Sequence, residues 1–354
     1  MEISAYVSTQ KRSLMALPHT SVVILNWNTR ELLQQFLPTV IKHSWSPGID
    51  IVVADNGSTD GSVEMVREQF SDKVRILEFD RNYGFAGGYN LALKQIETKY
   101  AVLLNSDAAP AQGWLEPLVK CLDENPGIGA CVPKIKAYKQ PDMFEYAGAA
   151  GGFIDKLGYT FCRGRIFDFL EKDHGQYDDG CDVFWGSGAA LMVRTGLFNQ
   201  SGGLDEDFFA HMEEIDWCWR IKNQGYRIRY VPESTIYHLG GGTLNNISPH
   251  KNYLNFRNNL YMLYRNLPKR KLWRILLQRM LMDYMAAFHF LFLLQPNHFG
   301  GIFRAHFAFF KNFRLLRQKR KVLKMEVRKE EHSEIYPRPI VFDFFFRKRK
   351  KFSS

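Results

Sequence analysis

The chain has 354 residues, 45% of them hydrophobic, enough to build a large core as one big domain or one domain with an appendage. A net charge of +10 and a pI of about 9.2 favour anionic partners, namely nucleotide phosphates, nucleic acid or anionic lipid. The five cysteines, Cys121, Cys131, Cys162, Cys181 and Cys218, are odd in number and lack C-x-x-C spacing, which argues against a disulfide framework or zinc site and for a reducing cytosol.

Residues 1–20 are polar and mixed, without an apolar stretch, so they read as an N-terminal segment and not a secretory signal. "SVVILNWN" (Ser21 to Asn28) is a β-rich apolar run. The helical spacing of "TRELLQQFLPTVIKH" follows, with Thr29 as candidate N-cap and Pro38 expected to bend the helix. "IDIVVAD", "VRILEF" and "YAVLLN" are further strands; "STDGSVEMVREQF", "FAGGYNLALKQIE" and "GWLEPLVKCLDEN" hold the intervening helices. Continuous apolar strands alternating with helices predict an α/β fold with a parallel sheet covered on both faces.

Residues 134–182 are rich in Gly, Asp and aromatics and read as loops and short antiparallel strands. "VFWGSGAALMVRTGLF" gives a strand after a glycine-rich turn. A helix is expected from near Glu213 to a C-cap at Gly225. "YRIRYVP" and "STIYHLGGGT" (Ser234 to Thr243) read as two strands, the second entering a glycine loop. From His250 onward the pattern is helical, aromatic and basic.

Ligands on parallel sheets bind beyond the carboxyl ends of the strands. Asn26-Trp27-Asn28 follows the first strand, the Asp55 to Asp60 run the second, the Asp80 to Gly84 run the third, and Asn105-Ser106-Asp107 the fourth. One polar strand end is ordinary turn chemistry; four on one edge point to a site. Asp55 begins either a plain Asn-Gly turn or a loop that holds a nucleobase and ribose. Asp107 is either an Asx turn or helix cap, or a ligand for a hard cation such as Mg2+ or Mn2+. The acids Glu213, Glu214 and Asp216 either complement a helix dipole or supply a general base, because adjacent carboxylates raise each other's pKa. Asp216 is one turn from Arg220 and able to pair with it. His238, beside glycines, is either structural or the neutral imidazole that completes a metal site.

The motifs "SVVILNWNTRELL", "VVADNGSTDGS", "RNYGFAGGYN", "YAVLLNSD", "FWGSGAALMVR", "GGLDEDFFAHMEEIDWCWR" and "YHLGGGT" occur in this order. Together they resemble family-2 glycosyltransferases of the GT-A fold, especially the bacterial rhamnosyltransferase-like and galactofuranosyltransferase-like branch. The resemblance covers residues 21–265 as the catalytic domain, with a Rossmann-like, mostly parallel sheet. It implies inverting, divalent-metal-dependent transfer of a sugar from a UDP- or dTDP-linked donor to a glycan or lipid-linked acceptor, in cell-surface polysaccharide or lipid-linked glycan synthesis. Asp55, Asn28, Asn82 and Asn105 would bind the nucleotide, and Asp107 and His238 the Mg2+ or Mn2+. Glu214 would take the acceptor proton, with Glu213 and Asp216 shaping that site, and Trp185, Gly186 and Gly188 would line the acceptor pocket. Asn105 stands where the family's DxD motif has its first acid, and Glu214 where an Asp is usual.

Residues 266–354 read as a helical, basic and aromatic C-terminal extension, with "RLLRQKRKVLK" and "RKRKK" as its densest clusters. Its apolar helices either pack on the catalytic domain or lie in a membrane interface through residues 270–324, at the cytoplasmic face of the inner membrane. No apolar run is long enough to span a bilayer by itself. The competing readings are an inert nucleotide- or glycan-binding protein on the same scaffold, a nucleotidyltransferase, and a nucleic-acid binder. Specific nucleic-acid binding is not expected, because the basic residues sit mainly in the extension.

Overall fold

The computed structural model describes residues 19–240 and 248–352; residues 1–18 of the N-terminal segment and Gly241, Gly242 and Thr243 of the glycine loop lie outside the described residues. The first half alternates as its sequence predicts: β1 (Thr20–Asn26), α1 (Arg30–Ser44), β2 (Ile49–Asp55), α2 (Ser62–Phe70), β3 (Arg75–Glu78), α3 (Gly84–Lys94), β4 (Tyr100–Asn105), β5 (Ala108–Pro110) and α4 (Leu115–Glu124). β3, β2, β1 and β4 form a parallel set in that order. Side chains alternate across it. Val22 and Ile24 join Leu33, Leu37 and Val40 of α1 in one core, whereas Val23 joins Tyr89 and Leu93 of α3 in the other. Both faces are covered, which is why these strands read as unbroken apolar runs.

β6 (Ile128–Ala137) is followed by short strands: β7 (Gln140–Phe144), β8 (Gly152–Asp155), β9 (Thr160–Cys162), β10 (Arg165–Ile166), β11 (Phe169–Leu170) and β12 (Cys181–Val183). Next come β13 (Ala190–Arg194), α5 (Thr195–Gln200), α6 (Glu213–Asn223) and β14 (Arg227–His238). The main sheet is mixed. β13 runs antiparallel between β4 and β6, and β14 is parallel to β6. β14 is one strand where the sequence reads as two; its register slips between Val231 and Thr235, around Pro232, which has no N–H for the ladder. α1 continues through Pro38, and Thr29 at its N-cap does not cap: its hydroxyl donates to Asn26 Oδ1 (2.5 Å).

α7 (Pro249–Asn266) ends the 21–265 stretch, and the extension beyond it comprises α8 (Leu272–Phe292), α9 (Pro296–Lys311), α10 (Phe313–Met325), β15 (Ile335–Tyr336) and α11 (Ile340–Phe345). α7 packs against α6, α8, α9 and α10. The chain then returns: β15 pairs in parallel with β8 and completes a small second sheet, β11-β10-β9-β8-β15. Part of the basic cluster is committed to the catalytic half. Lys319 reaches Asp205 (2.7 Å) and Asp207 (2.5 Å), and the Arg320 guanidinium donates to Arg265 O (3.1 Å). No helix among the described residues is long and apolar enough to cross a membrane.

Candidate functional site

Register brings the polar strand ends together. Asn26 of β1 lies opposite Asp55 of β2, and Asn105 of β4 opposite Leu25. Asp55 is buried and accepts from Asn26 Nδ2 (2.7 Å) and the Ser58 N–H (2.9 Å). Asn28, in the left-handed region at φ 52°, accepts from the Thr59 N–H (2.8 Å), while its own N–H donates to Ser58 Oγ (2.9 Å). Asn82 Oδ1 accepts from Asn56 Nδ2 (3.0 Å) and the Gly84 N–H (2.8 Å). Thus Asn28, Asp55 and Asn82 form one hydrogen-bonded edge across three strands.

Asp107 sits in the turn between β4 and β5, so the helix-cap alternative is excluded. β5 pairs with the end of β14, which sets His238 opposite Ala108. His238 Nε2 is 3.0 Å from Asp107 Oδ1 and 3.2 Å from Asn105 Nδ2. On its other side, Nδ1 is 3.3 Å from Glu145 Oε2. All three titratable groups are buried. Burial opposes charge on the imidazole, yet the facing carboxylates of Asp107 and Glu145 push His238 up to about 10. Burial alone would raise Asp107; the His238 contact instead holds it below its ordinary value.

Among the described residues no three His, Cys, Asp or Glu side chains converge as a ready-made metal cage. The Asp107–His238 pair nevertheless fits a hard divalent ion. That 3.0 Å contact is an ion pair of a charged imidazole, and a hard divalent ion would take the place of its proton between Asp107 and His238. Such ions use one or two protein ligands and take phosphate oxygens and water for the rest. Glu145 stands where an outer carboxylate would fix the ring of a metal-bound histidine. Sequence reasoning passed over Glu145, because it lies in the weakly periodic stretch between β7 and β8.

The second cluster is built around the start of α6. Phe209, His211 and Met212 all have positive φ (63°, 70° and 74°), a conformation costing about 1–3 kcal/mol per non-glycine residue. Asn258 of α7 holds this loop, its two Nδ2 hydrogens shared among Phe208 O (3.0 Å), Ala210 O (2.9 Å) and His211 O (2.8 Å). Arg257 Nη2 adds bonds to Asp207 O (2.9 Å) and Phe208 O (3.0 Å). Neither residue stood out in the sequence, where they are two polar positions within a helix. Asn258→Ala is expected to lower the unfolding free energy by about 1–3 kcal/mol, the cost of unsatisfied buried carbonyls, as a reduced urea midpoint at unchanged slope.

The strained loop delivers Glu213 and Glu214. One oxygen of each, Oε2, is buried without a hydrogen-bond partner. Burial pushes Glu214 up to about 7, and burial plus the neighbouring Glu214 charge raises Glu213 further. Asp216 differs. It is wholly buried, and its oxygens are taken by Arg220 Nε (2.8 Å) and Asn266 Nδ2 (2.8 Å), so it anchors α6 to α7.

Backbone contacts join the clusters. The Phe85 N–H donates to Phe209 O (3.0 Å), and Gly84 lies so close to Phe209 that a Cβ there would approach its ring to 2.8 Å. The α6 loop is therefore seated on the third strand end, beside Asn82. Lys251 of α7 exerts its charge on both His211 and Glu145. Trp185, Gly186 and Gly188 are placed by packing. The Trp185 indole is buried and donates to Phe153 O (2.9 Å); a Cβ on Gly186 would meet Val132 at 2.3 Å, and one on Gly188 would meet Phe85 at 2.8 Å.

Residues 21–181 match the family model for glycosyl transferase family 2. An N-acetylglucosaminyl-diphospho-decaprenol L-rhamnosyltransferase of Mycobacterium tuberculosis is 26% identical over 235 residues, covering 61% of this chain and 75% of that protein. The structure of GalNAc-T7 with UDP, GalNAc and Mn2+ aligns at a TM-score of 0.54 and 17% identity, over 70% of this chain and 48% of the other. The mannosyltransferase PcManGT from Pyrobaculum calidifontis, with GDP-Man and Mn2+, aligns at 0.50 and 17% identity, over 88% and 86%. The shared architecture supports a fold of the GT-A type, and the match of residues 21–181 to the family model supports a general transferase function at the level of that family.

Proposed function

We propose that the protein is an inverting glycosyltransferase that moves a hexosyl group from a UDP- or dTDP-linked donor to a glycan or lipid-linked glycan acceptor at the cytoplasmic face of the inner membrane. The observation that carries this reading is the pair of carboxylates with unpaired oxygens, Glu213 and Glu214, held by a strained loop against the strand-end edge. Asp55, Asn28, Asn82 and Asn105 bind the nucleotide. Asp107 and His238 would hold Mg2+ or Mn2+, which would offset negative charge on the diphosphate. Glu145 fixes the His238 ring. The rhamnosyltransferase of M. tuberculosis, named for a diphospho-decaprenol substrate, supports a lipid-linked acceptor in surface-glycan synthesis.

In the step itself the acceptor hydroxyl oxygen forms a bond to the anomeric carbon as the bond from that carbon to the diphosphate breaks. The nucleoside diphosphate leaves, and a carboxylate takes the hydroxyl proton. Glu214 suits that role, because a base near pH 7 is partly ionised at neutrality and strong enough to accept the proton. Burial and the neighbouring Glu214 charge raise Glu213, which disfavours a second charge beside Glu214 and limits the repulsion between them.

Incubation with a panel of UDP- and dTDP-sugars, with and without Mn2+, tests the reading through release of the free nucleotide. Metal-dependent release that vanishes in Asp107→Ala supports transfer. Sugar-1-phosphate as the product would replace the reading with a nucleotidyl-transferring one. Glu145→Gln is expected to weaken Mn2+ binding by about 10–100-fold, measured by titration calorimetry in the presence of UDP, as for other losses of a histidine's outer partner.

A further inference from the structure

α8 is amphipathic in the inverted sense. Its charged pair, Arg279 and Asp283, is turned inward: Arg279 Nε donates to Asp283 Oδ1 (2.7 Å), and Asp283 Oδ2 is 3.1 Å from His306 Nε2 of α9. Both residues are buried. The outward stripe is instead Trp273, Leu277, Leu281, Met285, Phe288 and Phe292, spaced every three or four residues along one helix face and all exposed. Only Gln278 and His289 interrupt the exposed side of this helix beyond Arg274.

The face continues across the hairpin. Leu294 at its tip is 87% exposed and Phe292 84%. On α9, Phe303, Phe307 and Phe310 are exposed as well. The two helices meet along this side through Tyr284–Phe303 (5.3 Å) and Phe288–Phe299 (6.0 Å) ring contacts. An apolar surface of this extent marks an interaction site.

Charge decides among the occupants. Between Lys269 and Lys324 the one acidic residue is the buried Asp283. Arg274 of α8, Arg304 and Lys311 of α9, and Arg314 and Arg317 of the following α10 are exposed. A second copy would oppose one basic surface to another, whereas an anionic bilayer accepts both the cations and the aromatic and aliphatic side chains. We infer that the α8–α9 hairpin docks, apolar stripe first, into the interface of an anionic lipid bilayer. α7 ties the hairpin to the catalytic half: it packs along α9, and its Asn258 holds the loop before Glu213. The docked hairpin therefore fixes how the site faces the membrane.

This inference extends the proposed lipid-linked acceptor, and the two fail separately. The test is co-sedimentation of the full chain with vesicles of phosphatidylglycerol and phosphatidylcholine, and with phosphatidylcholine alone. Binding to the anionic vesicles is expected, weakened by salt and without phosphatidylglycerol. The tip variant Phe292→Ser/Leu294→Ser removes two largely exposed apolar side chains and is expected to reduce binding by roughly tenfold or more. Arg314→Glu/Arg317→Glu is expected to remove much of the salt-sensitive part. Wild-type protein left in the supernatant with anionic vesicles overturns the inference. So does tip-variant binding equal to wild type, or a dimer in sedimentation velocity that the tip variant dissolves while vesicles capture neither form. Release of nucleotide from donor sugar, followed in the same preparations, is expected to be the same in the tip variant; its failure in every preparation would remove the transferase reading and leave the docking result standing.

Discussion

Asp107→Ala is expected to abolish the metal-dependent rise in melting temperature that UDP or dTDP produces in the wild-type protein. A ligand at about 100 times its Kd stabilises the folded state by about 2.7 kcal/mol, which for a chain of this size is a shift of a few degrees. The loss follows from the geometry. Asp107 is the acid of the strand-end pair, and His238 is held beside it by Glu145. Removing the carboxylate leaves His238 as the sole ligand of the pair, and Asn105 is a weak substitute for a hard cation. His238→Ala is expected to lower the same shift in part. A full shift in Asp107→Ala, with Mn2+ required, would move the ion elsewhere and take the pair's assignment with it.

Glu214→Gln is expected to lower kcat by about 10²–10⁴-fold, the usual contribution of a positioned general base, while the nucleotide-induced shift is retained. Glutamine keeps the shape and removes the proton acceptor. Glu213→Gln is expected to have a far smaller effect, because burial and the Glu214 charge both disfavour ionisation of the Glu213 carboxyl. The pH dependence has a defined sign. The working form of Glu214 is the carboxylate, and burial raises its pKa to about 7, so activity is expected to fall as pH drops through 7 and to level off above it. A profile of kcat/KM that is flat from pH 5.5 to pH 8, about a unit or more on either side of that value, would exclude Glu214 as the base.

The two clusters were legible in the sequence to different degrees. Strand ends are local. An apolar run followed by Asn, Asp and Gly marks its own end, and parallel register then brings Asn26 beside Asp55. Thr29 shows the limit of a local rule. It occupies the N-cap, but Asn26 from the neighbouring strand end competes for its hydroxyl and wins. Asp216 shows another. Its adjacency to Glu213 and Glu214 is sequential, yet the helical turn places it against Arg220 and Asn266, behind the loop. Trp185 likewise sits in a glycine-flanked motif, and its indole proves to be spent on the Phe153 carbonyl.

Alternation of apolar strands and helices, the polar strand ends and the three acids opening α6 were determined by the sequence alone, because each depends on periodicity or on residues a few positions apart. Only the tertiary structure decided what those groups face. Glu145 reaches His238 across 93 positions, and Asn258 reaches the His211 carbonyl across 47. β13 enters the sheet antiparallel, and the chain returns from α10 to complete a sheet begun at β8. The sequence left open whether the apolar helices of the extension pack on the catalytic domain or face a membrane, and it did not show which side α8 buries. That depended on Asp283 meeting His306 from another helix, since a buried charge is stable only where a partner is supplied.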